Sequence, residues 1–454
     1  MTELPVVVIG AGPQGLAVAA HLTERGNEAI VVERGAGPAA AVSEWGHVRL
    51  FSRWSELTDA AARRLLETSG WRAPVAGYPT GAEWVSQYLA PLAEALGERV
   101  RYSTTVTGVS RTGRDRVVDS GRTGQPFVVH TVDAEGEEAR ISARAVIDAS
   151  GTWSSPNPAG ADGLPALGEG RAASRISYRI PHDVAAYAGQ HLVVVGSGHS
   201  AAHAALRLSE LAGRSPGTKV TWLVRRGTAA HLSGGGDADE LQERAALGRR
   251  AQKVIESGLV DVVPGFRIAE FVDEAGALAI TAEDGRRLTG VDRVFALTGF
   301  RPDLSILSEL RVSVDASLEA VAGIAAGIDP NIHSCGSVGA TGAYELAQPE
   351  EGLFIIGAKS YGRAPTFLAL TGFEQARSVA AHLAGDVEAA RSTQLVLPDT
   401  GVCGGSGDFD AGAGGCCTPP LIRLETVRER MDSTPSAADP STSSTDSTLT
   451  RSRS

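Results

Sequence analysis

Glycines at two places in this 454-residue chain are spaced for phosphate chemistry. Gly10-Ala11-Gly12-Pro13-Gln14-Gly15 follows the apolar run Val6-Val7-Val8-Ile9, and Gly196-Ser197-Gly198-His199-Ser200-Ala201 follows Leu192-Val193-Val194-Val195. Each reads as a buried strand that enters a helix through a tight turn. The first glycine permits the turn, the second lets backbone approach a pyrophosphate, and the third small residue lets helix and strand pack closely. The helix start then offers unpaired N–H groups and a positive dipole end to phosphate. Two such turns imply a chain that holds two dinucleotides.

The charges at the end of the next strand separate the two sites. The strand Ala29-Ile30-Val31-Val32 ends in Glu33 and Arg34. Glu33 lies roughly twenty residues past the first glycine, where a carboxylate meets the adenosine ribose diol and repels a 2′-phosphate. That site suits FAD or NAD. The strand Val220-Thr221-Trp222-Leu223-Val224 ends instead in Arg225-Arg226, and guanidinium groups there match a 2′-phosphate. That site suits NADPH, with NADH as the alternative. The plainer alternative for all three charges is a solvated strand end.

With these residues the chain resembles the two-dinucleotide-binding-domain flavoproteins, in particular the flavin-containing monooxygenase-like FAD/NADPH oxidoreductases. The resemblance spans roughly residues 4 to 385. Val146-Ile147-Asp148-Ala149-Ser150-Gly151-Thr152-Trp153 is similar to the strand and turn where such chains first cross between domains, which places Ser150 and Gly151 at the cofactor. Phe295 to Asp303, with Gly299, is similar to the second crossing. Gly352 to Gly357 resembles the last strand of the FAD domain, with Gly357 approaching the flavin, and a helix over Thr371 to Ala376 would cap the isoalloxazine. The resemblance further implies Arg49 and Leu50, in Trp45 to Ser52, beside the pyrophosphate and flavin, and Val106 against the adenine. One departure stands out: Ser177 to Asp183 keeps a histidine, His182, without the Phe-x-Gly-x-x-x-His pattern of the monooxygenases.

The expected fold is α/β, with two Rossmann-like domains, the NADPH domain inserted into a discontinuous FAD domain. The expected limits are 1–158 and 329–388 for the FAD domain, 159–328 for the NAD(P)H domain, and 389–454 for a flexible tail. A hydrophobic content of 43% supports buried cores, and 54 glycines suit tight turns. A formal net charge of −11 argues against nucleic acid or an anionic membrane as partner. The lack of a long apolar stretch or secretory leader makes a cytoplasmic protein the expectation, with a homodimer expected only from the family.

His333, Cys335 and Lys359 are the catalytic candidates, since all fall in the returning part of the FAD domain near the expected cleft. A buried structural role is the simpler alternative for a lone His or Cys. Thioredoxin-reductase-like relatives pass electrons to a Cys-x-x-Cys, and this chain has none among its 4 cysteines. Cys403, Cys416 and Cys417 lie on the glycine-rich tail, where three thiols would suit a soft ion such as trivalent arsenic. The leading expectation is an NADPH-driven flavin monooxygenase that uses O2 to oxygenate a small organic or soft-nucleophile substrate, trivalent arsenicals among them. The alternative is a flavin reductase that passes electrons to a thiol or metalloid through the tail cysteines. A nucleotide-binding sensor ranks last.

Overall fold

The computed structural model describes residues 4–228, 232, 242–331, 339–365 and 367–395. His333, Cys335, Cys403, Cys416 and Cys417 lie outside the described residues. In chain order the strands are β1 (Val6–Ile9), β2 (Ala29–Val32), β3 (Val100–Arg101), β4 (Thr105–Arg111), β5 (Phe127–Val132), β6 (Glu138–Ala143), β7 (Ala145–Asp148), β8 (Ile176–Ser177) and β9 (His191–Val195). They continue as β10 (Lys219–Val224), β11 (Asp261–Pro264), β12 (Ile268–Glu274), β13 (Ala277–Ala282), β14 (Arg287–Val291), β15 (Arg293–Ala296) and β16 (Leu353–Ile355).

Continuous apolar runs require burial on both faces, which parallel sheets covered by helices supply. The two fingerprint strands meet that requirement. β1 is buried at all four positions and sits mid-sheet in the order β16-β7-β1-β2-β3. β9 holds the same place in the order β11-β10-β9-β15-β8. Both sheets are parallel. From β1 and from β9 the chain goes next to one flank and later returns to the other. Each glycine turn therefore opens at a switch in strand order, where such sheets leave a crevice for ligand. β16, from late in the chain, pairs with β7 and completes the first sheet, while the second sheet lies wholly between them in sequence.

Alternating patterns build two smaller antiparallel sheets, β4-β5-β6 and β12-β13-β14. The first is tied to the returning strand by a buried cluster. Glu350 accepts from Arg111 Nε at 2.8 Å and from Arg122 Nη2 at 2.8 Å, all three side chains 4% exposed. Arg111 also stacks 3.6 Å above the Phe127 ring.

The two stretches that join the sheets are locked together. Asn157 N donates to the Gly299 carbonyl at 2.9 Å, Arg301 N donates to the Ser155 carbonyl at 2.9 Å, and Pro156 and Phe300 pair antiparallel. Side chains add Asn157 Nδ2 to the Thr298 carbonyl at 3.0 Å and Arg301 Nε to Asn157 Oδ1 at 2.8 Å.

Burial alone would raise the pKa of Glu350, but hydrogen bonds from Arg122 and Arg111 outweigh it and hold the carboxyl below its usual range. Its stabilising contribution is present above the unfolded value near ~4.3 and is lost as pH falls through the lower folded value. Glu350→Gln, which leaves two buried guanidiniums with carbonyl partners but no counter-ion, should cost about 3–5 kcal/mol at neutral pH. Thermal unfolding should show the gap between wild type and variant narrowing as the pH drops below about 4.

Candidate functional site

At the first turn, Gly10 adopts φ +98°, and a Cβ there would meet the Ala149 carbonyl oxygen at 3.0 Å. A Cβ on Gly15 would fall 1.9 Å from the Gly10 carbonyl oxygen, so that position must be bare for helix Pro13–Glu24 to pack on β1. Gly12 differs: nothing lies within 4 Å of its Cβ direction. The second turn repeats the pattern. Gly196 has φ +122° with the Leu297 carbonyl oxygen 2.3 Å from a Cβ, whereas Gly198 faces open space. In each turn one glycine is required by the protein and another leaves room for something outside it. The helices Pro13–Glu24 and His199–Arg214 begin at Gly12 and Gly198 with no side-chain cap and no acidic residue in the first turn. Their leading N–H groups are thus available to an anion. Both cradles fit a dinucleotide pyrophosphate.

Glu33 is buried, and its two carboxylate oxygens accept from Ala11 N at 2.7 Å and Gly35 N at 2.7 Å. These bonds aim the carboxylate at the first turn; Arg34 beside it is exposed. Gln14 packs under the Gly357 turn and against Gly372 of helix Ala369–Leu383, where a Cβ on Gly372 would meet Gln14 Cγ at 2.4 Å. Gln375 Oε1 accepts from Gly357 N at 2.8 Å. Val106 is buried in β4, Leu50 is half-buried, and exposed Arg49 donates to the Tyr78 carbonyl.

At the second site Arg225 donates to the Ala161 carbonyl at 2.9 Å and stands at the end of β10 beside Arg226. Partial desolvation, with Arg226 and Arg267 nearby, lowers its pKa, the mark of a patch of mutually repelling cations that an anion would relieve.

A cavity of about 610 Å³ is lined from both halves of the fold: Gly196 to Ser200 and Arg225 on one side, Ala358, Gly362 to Pro365 and Phe367 on the other. Gly299 and Phe300 of the second crossing complete it. A smaller aromatic cavity, about 190 Å³, opens beside it between Trp45, Trp153 and Tyr178 and shares Ser200, Leu297, Gly299 and Phe300 with it. The Tyr178 phenol is held protonated by burial and by its hydrogen bond to Glu169.

Lys359 is 2% exposed, and its ammonium is committed to Asp148 Oδ2 at 2.6 Å and Ser150 Oγ at 3.0 Å. Asp148 is fully buried at the end of β7. The pair fastens the Gly357 turn to the Ser150–Gly151 turn, with Ser150 N and Oγ donating to Asp148 Oδ1. Sequence reasoning picked Lys359 without its partner, because a lone Asp at a strand end carries no signal of its mate 211 positions away. It named His199 in the second fingerprint but passed over His203 and Arg207, which share one face of that helix with it at i, i+4 spacing.

Two parallel sheets, each with a phosphate-receptive glycine turn and a shared cavity between them, define a two-dinucleotide fold of the oxidoreductase type. The chain matches the family described as pyridine nucleotide-disulphide oxidoreductase over residues 7–322 and belongs to it. It is thus an oxidoreductase of the pyridine-nucleotide class. A ferredoxin–NADP reductase from Ignicoccus hospitalis is 27% identical over 316 residues, 68% of this chain and 81% of that protein. Among solved structures, the bacillithiol disulfide reductase of Bacillus cereus superposes with TM-score 0.63 at 21% identity, covering 85% of this chain and 99% of that one. The cadaverine monooxygenase of desferrioxamine biosynthesis from Erwinia amylovora gives TM-score 0.60 at 14% identity, covering 88% and 98%. These two likenesses show the fold. Among the described residues no helix is long and apolar enough to cross a membrane.

Lys359→Met should destabilise the protein by about 3–5 kcal/mol, because it leaves Asp148 charged and unpaired in the interior. Adding Asp148→Asn should recover part of that loss, a coupling that a double-mutant cycle in denaturant would read directly.

Proposed function

We propose that the protein is an NADPH-driven flavin monooxygenase acting on a small organic or soft-nucleophile substrate, trivalent arsenicals included. The observation that carries this reading is the shared cavity, which sets the NADPH-type turn opposite the segment following Gly357. FAD bound in the first cradle would supply the two-electron carrier between NADPH and the acceptor.

Around it, the chain's own residues orient and exclude. Gly12 and the first turn of helix Pro13–Glu24 receive one pyrophosphate and Glu33 the ribose diol. Gly198, His199 and Ser200 receive the other, with Ala201 as the small packing residue and Arg225 and Arg226 at the 2′-phosphate. Lys359 and Asp148 act as positioning residues for the Ser150 and Gly357 turns. The aromatic cavity supplies a water-poor wall for an apolar substrate. The domain limits 1–158, 159–328 and 329–388 are kept as part of this proposal, and the tail cysteines are retained as the acceptor route in the reductase reading.

Two experiments test this. NADPH oxidation under air should become coupled to oxygenated product, with little hydrogen peroxide, when a sulfur, nitrogen or arsenic nucleophile is supplied. Equal turnover without oxygen, with a disulfide or quinone as acceptor, would establish the reductase instead. Gly198→Ala meets no protein atom, so it should fold normally and retain flavin. Its dissociation constant for NADPH should nevertheless rise about tenfold or more, as the methyl group displaces the pyrophosphate from its hydrogen bonds.

A further inference from the structure

One buried carboxylate lines neither cavity and yet holds a wall of each. Glu169 is 3% exposed, and three donors converge on it. Its Oε1 accepts from Ala159 N at 2.9 Å and from the Tyr178 hydroxyl at 2.5 Å, and its Oε2 accepts from Ala166 N at 2.7 Å. Ala159 and Ala166 stand at the two ends of a tight loop. A Cβ on Gly160 would fall 2.1 Å from the Leu164 carbonyl oxygen, so the loop folds back on itself and the carboxylate closes it at its base. Both alanines are buried, so their N–H groups depend on this acceptor.

The closed loop carries two carbonyls that orient arginines. Arg225 donates to the Ala161 carbonyl at 2.9 Å, and Arg301 Nη2 donates to the Gly163 carbonyl at 3.0 Å. Both arginines line the large cavity, together with Ala159 to Ala161 and Gly163 of the loop itself. A guanidinium held by one bond presents its remaining N–H groups in a fixed direction, which is what contact with a phosphate requires. The loop also hangs on β12, through Ala161 N to the Ile268 carbonyl at 3.0 Å and Leu167 N to the Ala269 carbonyl at 2.9 Å. Those bonds fix its middle and the residue beyond it, and Glu169 fixes its two ends. The third donor comes from a different element. Tyr178 follows β8, and it lines the aromatic cavity.

We propose that Glu169 is a positioning residue for nucleotide preference. By closing the loop it fixes the Ala161 carbonyl, and through that carbonyl the Arg225 guanidinium, where a 2′-phosphate would be gripped. This inference rests on the assignment of Arg225 to the 2′-phosphate. Without the carboxylate, two buried N–H groups lose their acceptor, and the loop must shift to satisfy them. A dinucleotide without the 2′-phosphate has nothing for Arg225 to grip, so a displaced guanidinium costs it little. The Tyr178 hydroxyl, in the wall of one cavity, therefore tunes nucleotide discrimination in the other.

The test is calorimetric titration of the flavin-loaded protein with NADP+ and, separately, with NAD+, oxidised forms that bind without reducing the flavin. The readout is the ratio of the two dissociation constants, which a general loss of stability leaves unmoved. Wild type should favour NADP+, and Arg225→Gln should lose much of that preference. Glu169→Gln, which sets an amide N–H against a backbone N–H, should lower the preference about tenfold. Tyr178→Phe keeps the ring and both backbone donors, removes one hydroxyl, and should lower it about threefold. Wild-type preference in Glu169→Gln overturns the proposal while the assignment of Arg225 stands; if that variant does not fold, wild-type preference in Tyr178→Phe overturns it. A ratio unchanged in Arg225→Gln, or no preference in the wild type, overturns the assignment of Arg225 and the proposal with it.

Discussion

The antiparallel lock between the two crossings is the constraint on which the rest of the molecule depends. A pair of Rossmann-like sheets joined by free linkers would leave two nucleotide sites at an undefined distance. Here the Ser155 and Asn157 backbone is bonded to Gly299 and Arg301, and the Asn157 side chain bridges the same strands from above. The crossings therefore behave as one short ribbon. Because each crossing begins at the end of a central strand, the ribbon transmits the position of β7 to that of β15. Orientation of two reactants supplies a large share of a redox enzyme's rate, and this ribbon sets it.

A second constraint operates within the first half. Three segments distant in sequence converge on the Gly10 turn: the Ser150–Gly151 turn, the Gly357 turn and the start of helix Ala369–Leu383. They are held by an interior ion pair, Asp148 with Lys359, and by Gln14 and Gln375. Burying an ion pair is weak evidence for stability by itself, since desolvation offsets much of the attraction. Its value here is positional. Asp148 has hydrogen bonds from Lys359 and from Ser150, so only one arrangement of the turns satisfies every polar group. Glu350 performs the same task for the β4-β5-β6 sheet, joining it through Arg111 and Arg122 to the segment before β16.

The cleft is chemically asymmetric. Its smaller cavity is aromatic, with Trp45, Trp153 and Phe300, and its larger one is cationic, with Arg225, Arg301 and Arg363. Glu169 lies in neither lining, yet it bonds to the loop that walls the larger and to the tyrosine that walls the smaller.

Local chemistry made much of this protein legible from its sequence. A glycine that must adopt positive φ, such as Gly10 or Gly196, and a bare position such as Gly15 are requirements of the turn itself, so they appear at fixed offsets from an apolar run. Parallel strands buried on both faces announce themselves as unbroken Val and Ile, whereas the return of the chain through Leu353–Ile355 was expected from the resemblance to the two-dinucleotide-binding flavoproteins. The charges at the ends of the second strands were readable for the same reason. Tertiary structure alone decided the rest. That Lys359 meets Asp148, that Glu350 gathers two arginines, and that His47 packs edge-on against His182 depend on contacts between segments with no shared periodicity. Electrostatic pairing and burial act across space rather than along the chain, and only the folded arrangement brings those groups within range of one another.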